Sequence, residues 1–317
     1  MRRFLAGMLA VVLLCAPLAA LADAMSAMFD ALDALGGTDA AFAVVGELLC
    51  ATAKRDGEVY GFAFDNATGE RVTWDRLFSD GDAAAAALEK IAAEWTYANA
   101  YGNFENLSPM PRENFALDER GLTVYYPAAQ LTNLSGSQFG VQFNAYELEG
   151  LLRENIALSR GDTANAPAAL QTALETGALP GLPQQAALGG SIADAAEALG
   201  LVDVPDVKRD AAVWTFEAPA MRGVSLLSAP DDLSESGAVI CGVFARRVDF
   251  SGLIPGESTK EDCLAALGAP DETRAVASAD AYDRLPAGET LLWRGEAAAI
   301  ELHFAENILY SAAILQQ

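Results

Sequence analysis

A pattern that occurs twice in the second half of the chain limits its possible folds more than any other feature. SIADAAEALGLVDVP begins at Ser191, and STKEDCLAALGAP begins at Ser258. Each copy has a serine at a helix N-cap position, an acidic residue three positions later, and an Ala-Leu-Gly stop with a proline beyond it. The two copies predict an internal duplication, and repeats of this kind bury a shared core by packing side by side.

Extended runs follow each copy of this helix pattern. They indicate three strands after each helix, so each unit is predicted to be a helix plus a β-meander. The duplicated module is expected at residues 188–317, with its two units at 188–250 and 251–317. The strands are expected at Val213–Phe216, Val224–Leu227, Ala238–Phe244, Leu291–Trp293, Ala299–Phe304 and Ile308–Leu315.

The first half of the chain predicts an antiparallel sheet with packed helices. Residues 41–63 form two extended runs around a turn at Lys54-Arg55-Asp56-Gly57, and a helix capped by Asp82 follows. Further strands are expected at Phe115–Leu117, Leu122–Tyr126 and Phe139–Phe143, then a helix at Ala145–Arg153 that starts with the capping box Asn144-x-x-Glu147. The whole chain is therefore predicted to be an α+β protein with this sheet followed by the two repeated units.

Two segments of unusual composition set the remaining boundaries. Residues 1–22 begin with Met-Arg-Arg, continue in an apolar run and end in small residues, which is typical of a signal peptide. Residues 157–187 are rich in Ala, Gly and Pro, with one short helix near Ala168–Glu175, and they indicate a linker. The first domain is therefore expected at 23–156. Export would place the protein outside the cell, at the cell surface or in the periplasm, with no transmembrane span after signal cleavage.

The charge balance excludes one class of partner and favours another. The 317 residues carry 20 Lys and Arg against 44 Asp and Glu, for a formal net charge of −24. Such a surface repels nucleic acids and anionic lipids, which require clustered cations. It attracts a basic protein or a cationic polymer, although the same charge is also typical of many soluble exported proteins.

Few residues are available for catalysis. The only histidine, His303, lies in the alternating stretch IELHF, where it is expected on the exposed face of a strand. One histidine excludes a multi-histidine zinc site within one chain, and the sequence has no Walker-type or dinucleotide glycine loop. No metal, cofactor or catalytic residue is therefore predicted. Beyond the signal segment the cysteines are Cys50, Cys241 and Cys263, and either a Cys241–Cys263 bridge or free buried thiols would fit them.

The stretch GLTVYYPAAQLTNLSG, from Gly121 to Gly136, supplies the candidate binding residues. A strand ends on two tyrosines, Pro127 removes the next backbone donor, and small and amide residues lead to a glycine. Tyr125 should point away from the buried face of this strand. A contact patch is predicted from Tyr125, Tyr126, Gln130 and Asn133, with a simple crossover between two strands as the alternative.

Residues 44–155 resemble a known exported domain. The succession FAFDNATGERVTWDRLFSDG, a helix, ENFALDERGLTVYYP, a glycine-ended connection and VQFNAYELEGLL is similar to the domain shared by lysozyme-sensing anti-sigma factors and the non-catalytic part of a peptidoglycan deacetylase. The chain departs from this pattern at Ala128-Ala129-Gln130-Leu131, where the family tends to carry a second aromatic and an acidic residue.

Residues 188–315 resemble a second group. LIPGESTKEDCLAALGAPDE with its three following strands is similar to the helix-plus-meander unit of outer-membrane lipoproteins of the barrel-assembly type and of tandem β-lactamase inhibitor proteins. Both resemblances imply binding modules.

Three functions are compatible with these observations. The first is a non-catalytic binding protein of the cell envelope that senses or inhibits a basic muramidase (a lysozyme) or binds cell-wall polymer. The second is a carboxylate-dependent enzyme acting on cell-wall glycans, since two carboxylates suffice for that chemistry. The third is a purely structural assembly factor.

Overall fold

The computed structural model describes residues 18–98, 108–118, 120–127, 138–156, 158, 161–198, 208–209, 214–218, 223–228, 238–279 and 285–317. The chain divides into two compact units, Met1–Ser159 and Arg160–Gln317. Each unit combines helices with antiparallel sheets, so the predicted α+β class is confirmed.

In the first unit, two three-stranded antiparallel sheets have the orders β1-β2-β3 and β4-β5-β6. Its elements are α1 (Leu18–Leu35), β1 (Thr38–Val45), β2 (Leu48–Arg55), β3 (Glu58–Asp65), α2 (Trp74–Leu77), α3 (Gly81–Ala98), β4 (Phe115–Asp118), β5 (Gly121–Tyr126), β6 (Phe139–Asn144) and a 3-10 helix (Ala145–Leu148).

Two tight turns shape the first sheet. Asp56 and Gly57 join β2 to β3 with φ values of 55° and 84°, as a two-residue hairpin of this hand requires. The predicted turn is therefore confirmed. The extended run before it is two strands, because Gly46-Glu47 closes a second hairpin in which Val45 pairs with Leu48. A glycine with φ of 55° at position 46 makes this reversal possible.

Helix α1 covers one face of the first sheet. Ala24 and Met28 are buried in a cluster with Leu49, Phe62 and Phe64 from β2 and β3. The proposed signal peptide, residues 1–22, lies mostly outside the described residues, which begin at Leu18. Within the described ranges, every helix is too short or too polar to cross a membrane.

Two helix starts differ from the prediction. Asp80, not Asp82, caps α3, since its carboxylate accepts hydrogen bonds from the N–H groups of Asp82 and Ala83 at 3.1 and 3.0 Å. The capping box of Asn144 and Glu147 is present as predicted, but the helix it starts is a single 3-10 turn. Gly150, with φ of 73°, lies two residues after that turn, in a conformation that does not continue a helix.

The second unit contains one eight-stranded sheet with the order β11-β12-β13-β14-β10-β9-β8-β7. Its elements are a 3-10 helix (Thr163–Asn165), α4 (Ala166–Thr176), a 3-10 helix (Gln184–Ala186), α5 (Ile192–Ala198), β7 (Lys208–Arg209), β8 (Trp214–Ala218), β9 (Val224–Ser228), β10 (Ile240–Ala245), α6 (Lys260–Leu267), β11 (Glu272–Val276), β12 (Gly288–Arg294), β13 (Ala298–Ala305) and β14 (Ile308–Gln316).

Two meanders, each of four strands where three were predicted, are joined at the centre of this sheet. Each is a run of four consecutive strands that follows its own helix, and β10 pairs with β14 where the runs meet. Phe244 lies opposite Ala313 at that junction. The shift in residue number that aligns Val239 with Ile308 also aligns Phe244 with Ala313. Within the second unit, the two meanders are therefore related by a pseudo-twofold axis at this pair.

The structure moves the repeat alignment by one residue. Thr259, not Ser258, is the N-cap of α6, and it forms a capping box with Asp262. The Ser258 hydroxyl instead accepts a hydrogen bond from the Ile254 N–H at 2.9 Å. Ser191 and Thr259 are equivalent, since each forms an isolated bridge at the start of the last strand of its own meander. Ser191 pairs with Val239, directly before β10, and Thr259 pairs with Ile308, the first residue of β14.

The predicted linker at residues 157–187 is wrong. Ala166, Leu170 and Ala173 of α4, together with Leu179 and Ala186, are buried in the core of the second unit. The unit boundary therefore lies near residue 160. A high content of Ala, Gly and Pro suggested a flexible segment, but the spacing of 166, 170 and 173 places one apolar stripe on a helix, and Gly177 ends it with φ of 71°.

Candidate functional site

A cleft in the first unit contains the best-placed candidate residue. It has a volume of about 240 Å³ and lies between the β1–β2 hairpin and the β4–β5 hairpin. Small side chains predominate on its first wall, and polar side chains predominate on its second. The lining residues are Ala41, Phe42, Ala43, Cys50, Ala51 and Thr52 on the first wall, and Ala116, Leu117, Asp118, Arg120, Thr123 and Tyr125 on the second.

A close backbone approach brings the two sheets together at this site. A Cβ atom at Gly61 of β3 would lie 1.9 Å from the Phe115 carbonyl oxygen, so only glycine allows β4 to lie against the first sheet there. The Asn114 side chain holds this contact, since its Oδ1 accepts from the Gly61 N–H at 2.9 Å and its Nδ2 donates to the Val59 carbonyl at 2.8 Å.

Tyr125 lies in the cleft, on the side of β5 that the sequence predicts. Leu122, Val124 and Tyr126 are fully buried on the opposite face of the strand, whereas Tyr125 is partly exposed. The Tyr125 ring lies beside Gly140 of β6, where an added Cβ would be 3.1 Å from its Cε1. Burial, assisted by the negative charge of Asp118, raises the pKa of the Tyr125 hydroxyl to about 12. Tyr125 is therefore a neutral hydrogen-bonding group at physiological pH.

An ion pair between Asp118 and Arg120 lines the cleft. The Arg120 Nε and Nη2 groups donate to Asp118 Oδ2 at 3.0 and 2.6 Å, and the Arg120 backbone N–H donates to Oδ1 at 2.9 Å. Both side chains are about one-third exposed, at 34% and 35%. The pair fixes the orientation of the guanidinium beside the cleft. Neither residue was predicted from the sequence, although Asp-x-Arg-Gly marks the hairpin turn that brings them together.

The other predicted site residues have different outcomes. Tyr126 has no exposed surface, and its hydroxyl has no hydrogen-bond partner in the structure, so its inclusion in a surface patch is wrong. Burial and the nearby charge of Glu89 raise the pKa of this hydroxyl. Gln130 and Asn133 lie outside the described residues.

The three cysteines in the described part of the chain are free thiols. Cys50 in the cleft wall is buried, and burial together with the charge of Asp118 raises its pKa to about 12. Cys263 is buried in the second core, where burial raises its pKa to about 12 as well. Cys241 is partly exposed and is not bridged to Cys263. Because the thiolate is the nucleophilic form, Cys50 and Cys263 are poorly suited to covalent chemistry.

His303 does not have the exposed position predicted for it. It is 2% exposed in β13, and both of its ring nitrogens are hydrogen-bonded. Nε2 lies 2.8 Å from the Pro286 carbonyl, which can only accept, so Nε2 carries the proton and Nδ1 accepts from the Thr290 hydroxyl at 2.9 Å. Burial lowers the pKa of this imidazole, partly opposed by the bond to Pro286. The ring is a neutral structural group.

Two carboxylates in the second unit have opposite environments. Arg274 donates to Glu272 at 2.6 Å and contacts Glu301 at 3.3 Å, while Arg294 donates to Glu272 at 2.6 Å. These hydrogen bonds lower the pKa of Glu272 to about 2. Burial raises the pKa of Glu301. Within the described residues no group of three or more His, Cys, Asp or Glu is placed to hold a metal ion.

A larger groove in the second unit is a weaker candidate for a binding site. Its volume is about 640 Å³, and it lies between the start of α4 and helix α6. Of its polar lining residues, Ser258 and Asp262 already form local hydrogen bonds at and before the α6 N-terminus. The smaller cleft is therefore the better candidate.

Comparisons with known proteins do not identify a family. No family model matches the chain, and no curated protein matches it. A DUF4309 family protein, YjgB from Bacillus subtilis, is similar in structure with 13% identity and a TM-score of 0.35, over 49% of this chain and 97% of that one. A DUF3298 family protein from Pseudomonas aeruginosa gives 16% identity and a TM-score of 0.30, over 38% of this chain and 64% of that one.

A DUF3298 family member from Bacteroides fragilis gives 18% identity and a TM-score of 0.29, over 37% of this chain and 53% of that one. The chain thus covers less than two thirds of both DUF3298 proteins. Likenesses at these scores carry no conclusion about function.

Proposed function

We propose that this protein is an exported, non-catalytic binding protein of the cell envelope whose partner is a basic protein such as a muramidase. The observation that carries the proposal is the state of His303. The chain's single histidine is buried, with both nitrogens occupied, so it is not available to activate a nucleophile or to bind a metal. Histidine-dependent hydrolysis is therefore disfavoured.

Charge supports a basic partner. The net charge of −24 gives a long-range field that speeds association with a cationic protein and repels an anionic one. The cleft adds specific chemistry to this field, since the neutral hydroxyl of Tyr125 and the oriented guanidinium of Arg120 line one wall. The resemblance of residues 44–155 to lysozyme-sensing domains favours a muramidase among the possible cationic partners.

The proposal is tested by titrating the full chain against a basic muramidase and against a basic protein of matched charge and different fold. We expect tighter binding to the muramidase, with an association rate that falls as salt rises, because the Debye length shortens to about 8 Å at physiological ionic strength. Equal affinity for both proteins would reduce the effect to nonspecific charge. Binding to purified cell-wall polymer in place of either protein would assign the partner to that class.

A second function, carboxylate-dependent cleavage of cell-wall glycans, has one observation in its favour. Glu301 has a raised pKa and Glu272 a lowered one, and a pair of carboxyl groups whose pKa values are pushed apart is the arrangement that an acid and an ionised partner require. The same arrangement is also produced by an ion-pair network around Arg274 and Arg294, and that interpretation accounts for the side-chain hydrogen bonds that Glu272 makes with described residues.

Replacement of Glu301 decides between these interpretations. If the pair is structural, Glu301→Gln leaves the protein folded and leaves the rate of reducing-end release from peptidoglycan at the background level of the wild type. A wild-type rate above background that Glu301→Gln abolishes, with the fold intact by circular dichroism, would establish the enzyme.

A further inference from the structure

The outer edge of β3 is covered by side chains that imitate a neighbouring strand. The Gln138 side chain accepts from the Val59 N–H at 2.7 Å and donates to the Val59 carbonyl at 2.9 Å. Asn114 accepts from the Gly61 N–H, and the Val72 N–H donates to the Ala63 carbonyl at 2.8 Å. Four of the six outward backbone groups of Val59, Gly61 and Ala63 are therefore bonded inside the protein.

The opposite edge of the same sheet, on β1, has no such cover. Val45 and Leu48 close a two-residue hairpin, so they form a hydrogen-bonded pair, and the alternation of an antiparallel ladder then turns Ala41 and Ala43 toward β2. Phe42 and Val44 therefore present their N–H and C=O groups outward. Within the described part of the chain, no hydrogen bond is made to these outward groups.

Nothing in β1 protects this edge against pairing. Ala41 is exposed, Phe42 to Val44 are partly exposed, and the strand carries neither a proline nor a lysine at these positions. The one irregularity is a register shift between Thr38 and Ala41, where Asp39 has φ of 54°, and it limits the regular edge to residues 41–45. An incoming strand would thus find a short, regular template beside the cleft.

We propose that β1 is the docking edge for an extended segment of the basic partner, which adds to the first sheet as a fourth strand. The proposal rests on the proposed function for the nature of the partner. The outward groups of Phe42 and Val44 supply the backbone hydrogen bonds. Alternate side chains of the segment then face the cleft, where Tyr125 and the Asp118–Arg120 pair contact them.

Charge decides between a basic segment and a second copy of this chain. Exposed acidic residues lie near both ends of the edge, Asp39 within β1 and Glu47 in the turn that follows it. Two copies paired along β1 would bring these carboxylates together, and each chain carries a net charge of −24. A segment with lysine or arginine beside its apolar residues is attracted by the same groups.

Amide hydrogen exchange on the full chain tests the docking edge directly. The probe is a synthetic peptide in which lysine alternates with valine, added at low salt. We expect the amides of Phe42 and Val44 to exchange rapidly in the free protein and to become protected when the peptide binds. The amides of Val59 and Gly61, already bonded within the protein, should be protected in both states.

A pair of variants separates the backbone contact from side-chain effects. Val44→Pro removes an outward N–H without removing a bond of the β1–β2 ladder, whereas Val44→Thr keeps that N–H and has a similar shape. We expect Val44→Pro to bind the peptide at least about tenfold more weakly and Val44→Thr to bind it like the wild type. Unchanged thermal unfolding of both variants confirms that the sheet is intact.

The possible results distinguish this proposal from the proposed function. If the peptide leaves the Phe42 and Val44 amides unprotected, docking on β1 is wrong, even where a muramidase binds. If the peptide protects them and a muramidase does not bind, the docking edge stands and the muramidase is the wrong partner. Protection that grows with protein concentration alone would mean that a second copy occupies the edge, which overturns the assignment to a basic segment.

Discussion

At the scale of single residues, His303 shows most clearly that the alternation of side chains along a strand does not by itself predict burial. The period of two correctly places its side chain opposite Leu302 and Phe304. That second face is not open at this point, because Thr290 and Ser311 flank the ring in the neighbouring strands and Tyr310 packs edge-on with ring centroids 6.1 Å apart. The ring is therefore buried on a face that was expected to meet solvent.

Replacing His303 should destabilise the fold. His303→Leu leaves the Thr290 hydroxyl and the Pro286 carbonyl without their partner, so we expect a loss of about 1–3 kcal/mol in the free energy of unfolding. Urea denaturation at pH 7.5 measures this loss. A change within the error of the measurement would show that the two hydrogen bonds contribute nothing to stability.

The same residue gives a pH dependence with a defined sign. Burial lowers the pKa of His303 in the folded protein below 6.5. As the pH falls below 6.5, the imidazole is therefore protonated in the unfolded chain before it is protonated in the folded one. Its contribution to stability is complete above pH 6.5 and decreases as the pH falls from there toward the folded pKa. The slope is at most about 1.4 kcal/mol per pH unit, and the difference curve between wild type and His303→Leu should show it. A difference that grows on acidification would contradict this assignment.

Gly140 is the second position at the residue scale. A Cβ there would lie 3.1 Å from both Tyr125 Cε1 and Thr123 Cγ2, closer than ordinary packing allows. We expect Gly140→Ala to cost about 1–3 kcal/mol as the Tyr125 ring is pushed aside. In the background of Tyr125→Ala the same substitution should cost less, and a double-mutant cycle of unfolding free energies measures the difference. Equal costs in both backgrounds would show that the ring does not depend on Gly140.

At the scale of elements, the two helix caps of the duplicated unit are the informative pair. The Thr259 hydroxyl accepts from the Asp262 N–H at 3.1 Å, and the Ser191 hydroxyl lies 3.2 and 3.4 Å from the N–H groups of Ala193 and Asp194. The Thr259 cap is also reciprocal, since the Asp262 carboxylate accepts from the Thr259 N–H at 2.9 Å.

Removing either cap should lower stability by a similar amount. We expect Ser191→Ala and Thr259→Ala each to cost about 0.5–2 kcal/mol, with nearly additive effects because the two caps share no partner. Thr259→Ser is the matched control, since it keeps the hydroxyl and should be almost neutral. Chemical denaturation of these three variants and of the Ser191→Ala/Thr259→Ala double variant checks this. If Thr259→Ala proves as neutral as Thr259→Ser, the capping box has no energetic role.

At the scale of the whole molecule, the packing of α4 sets the N-terminal boundary of the second unit. Leu170 and Ala173 contribute to the core that the eight-stranded sheet forms with its helices. A fragment of residues 160–317 should therefore unfold in one cooperative transition, while a fragment of residues 188–317 lacks this helix and exposes the core beneath it.

Calorimetry of the two fragments tests this boundary. We expect a single sharp transition for 160–317 and a broad or absent one for 188–317, with dye binding that reports exposed apolar surface. Equal midpoints for the two fragments would return residues 161–187 to the role of a linker.

The sequence by itself determined the local features of this protein. The Asp56-Gly57 hairpin, the capping box at Asn144 and the face of β5 on which Tyr125 lies all follow from short-range patterns. Backbone preferences, caps and side-chain alternation act over a few residues, so these features are visible without the fold.

Only the tertiary structure decided which surfaces are covered. Burial of His303, burial of Tyr126, packing of α4 and the joining of Asp118, Arg120 and Tyr125 with β1 and β2 in one cleft depend on residues distant in the chain. The alternation of side chains along a strand shows on which face of the sheet a residue lies. It does not show whether another part of the chain packs against that face. The edges of β1 and β3 differ for the same reason. The two strands have similar sequence patterns, but only the edge of β3 is covered by the distant residues Asn114 and Gln138.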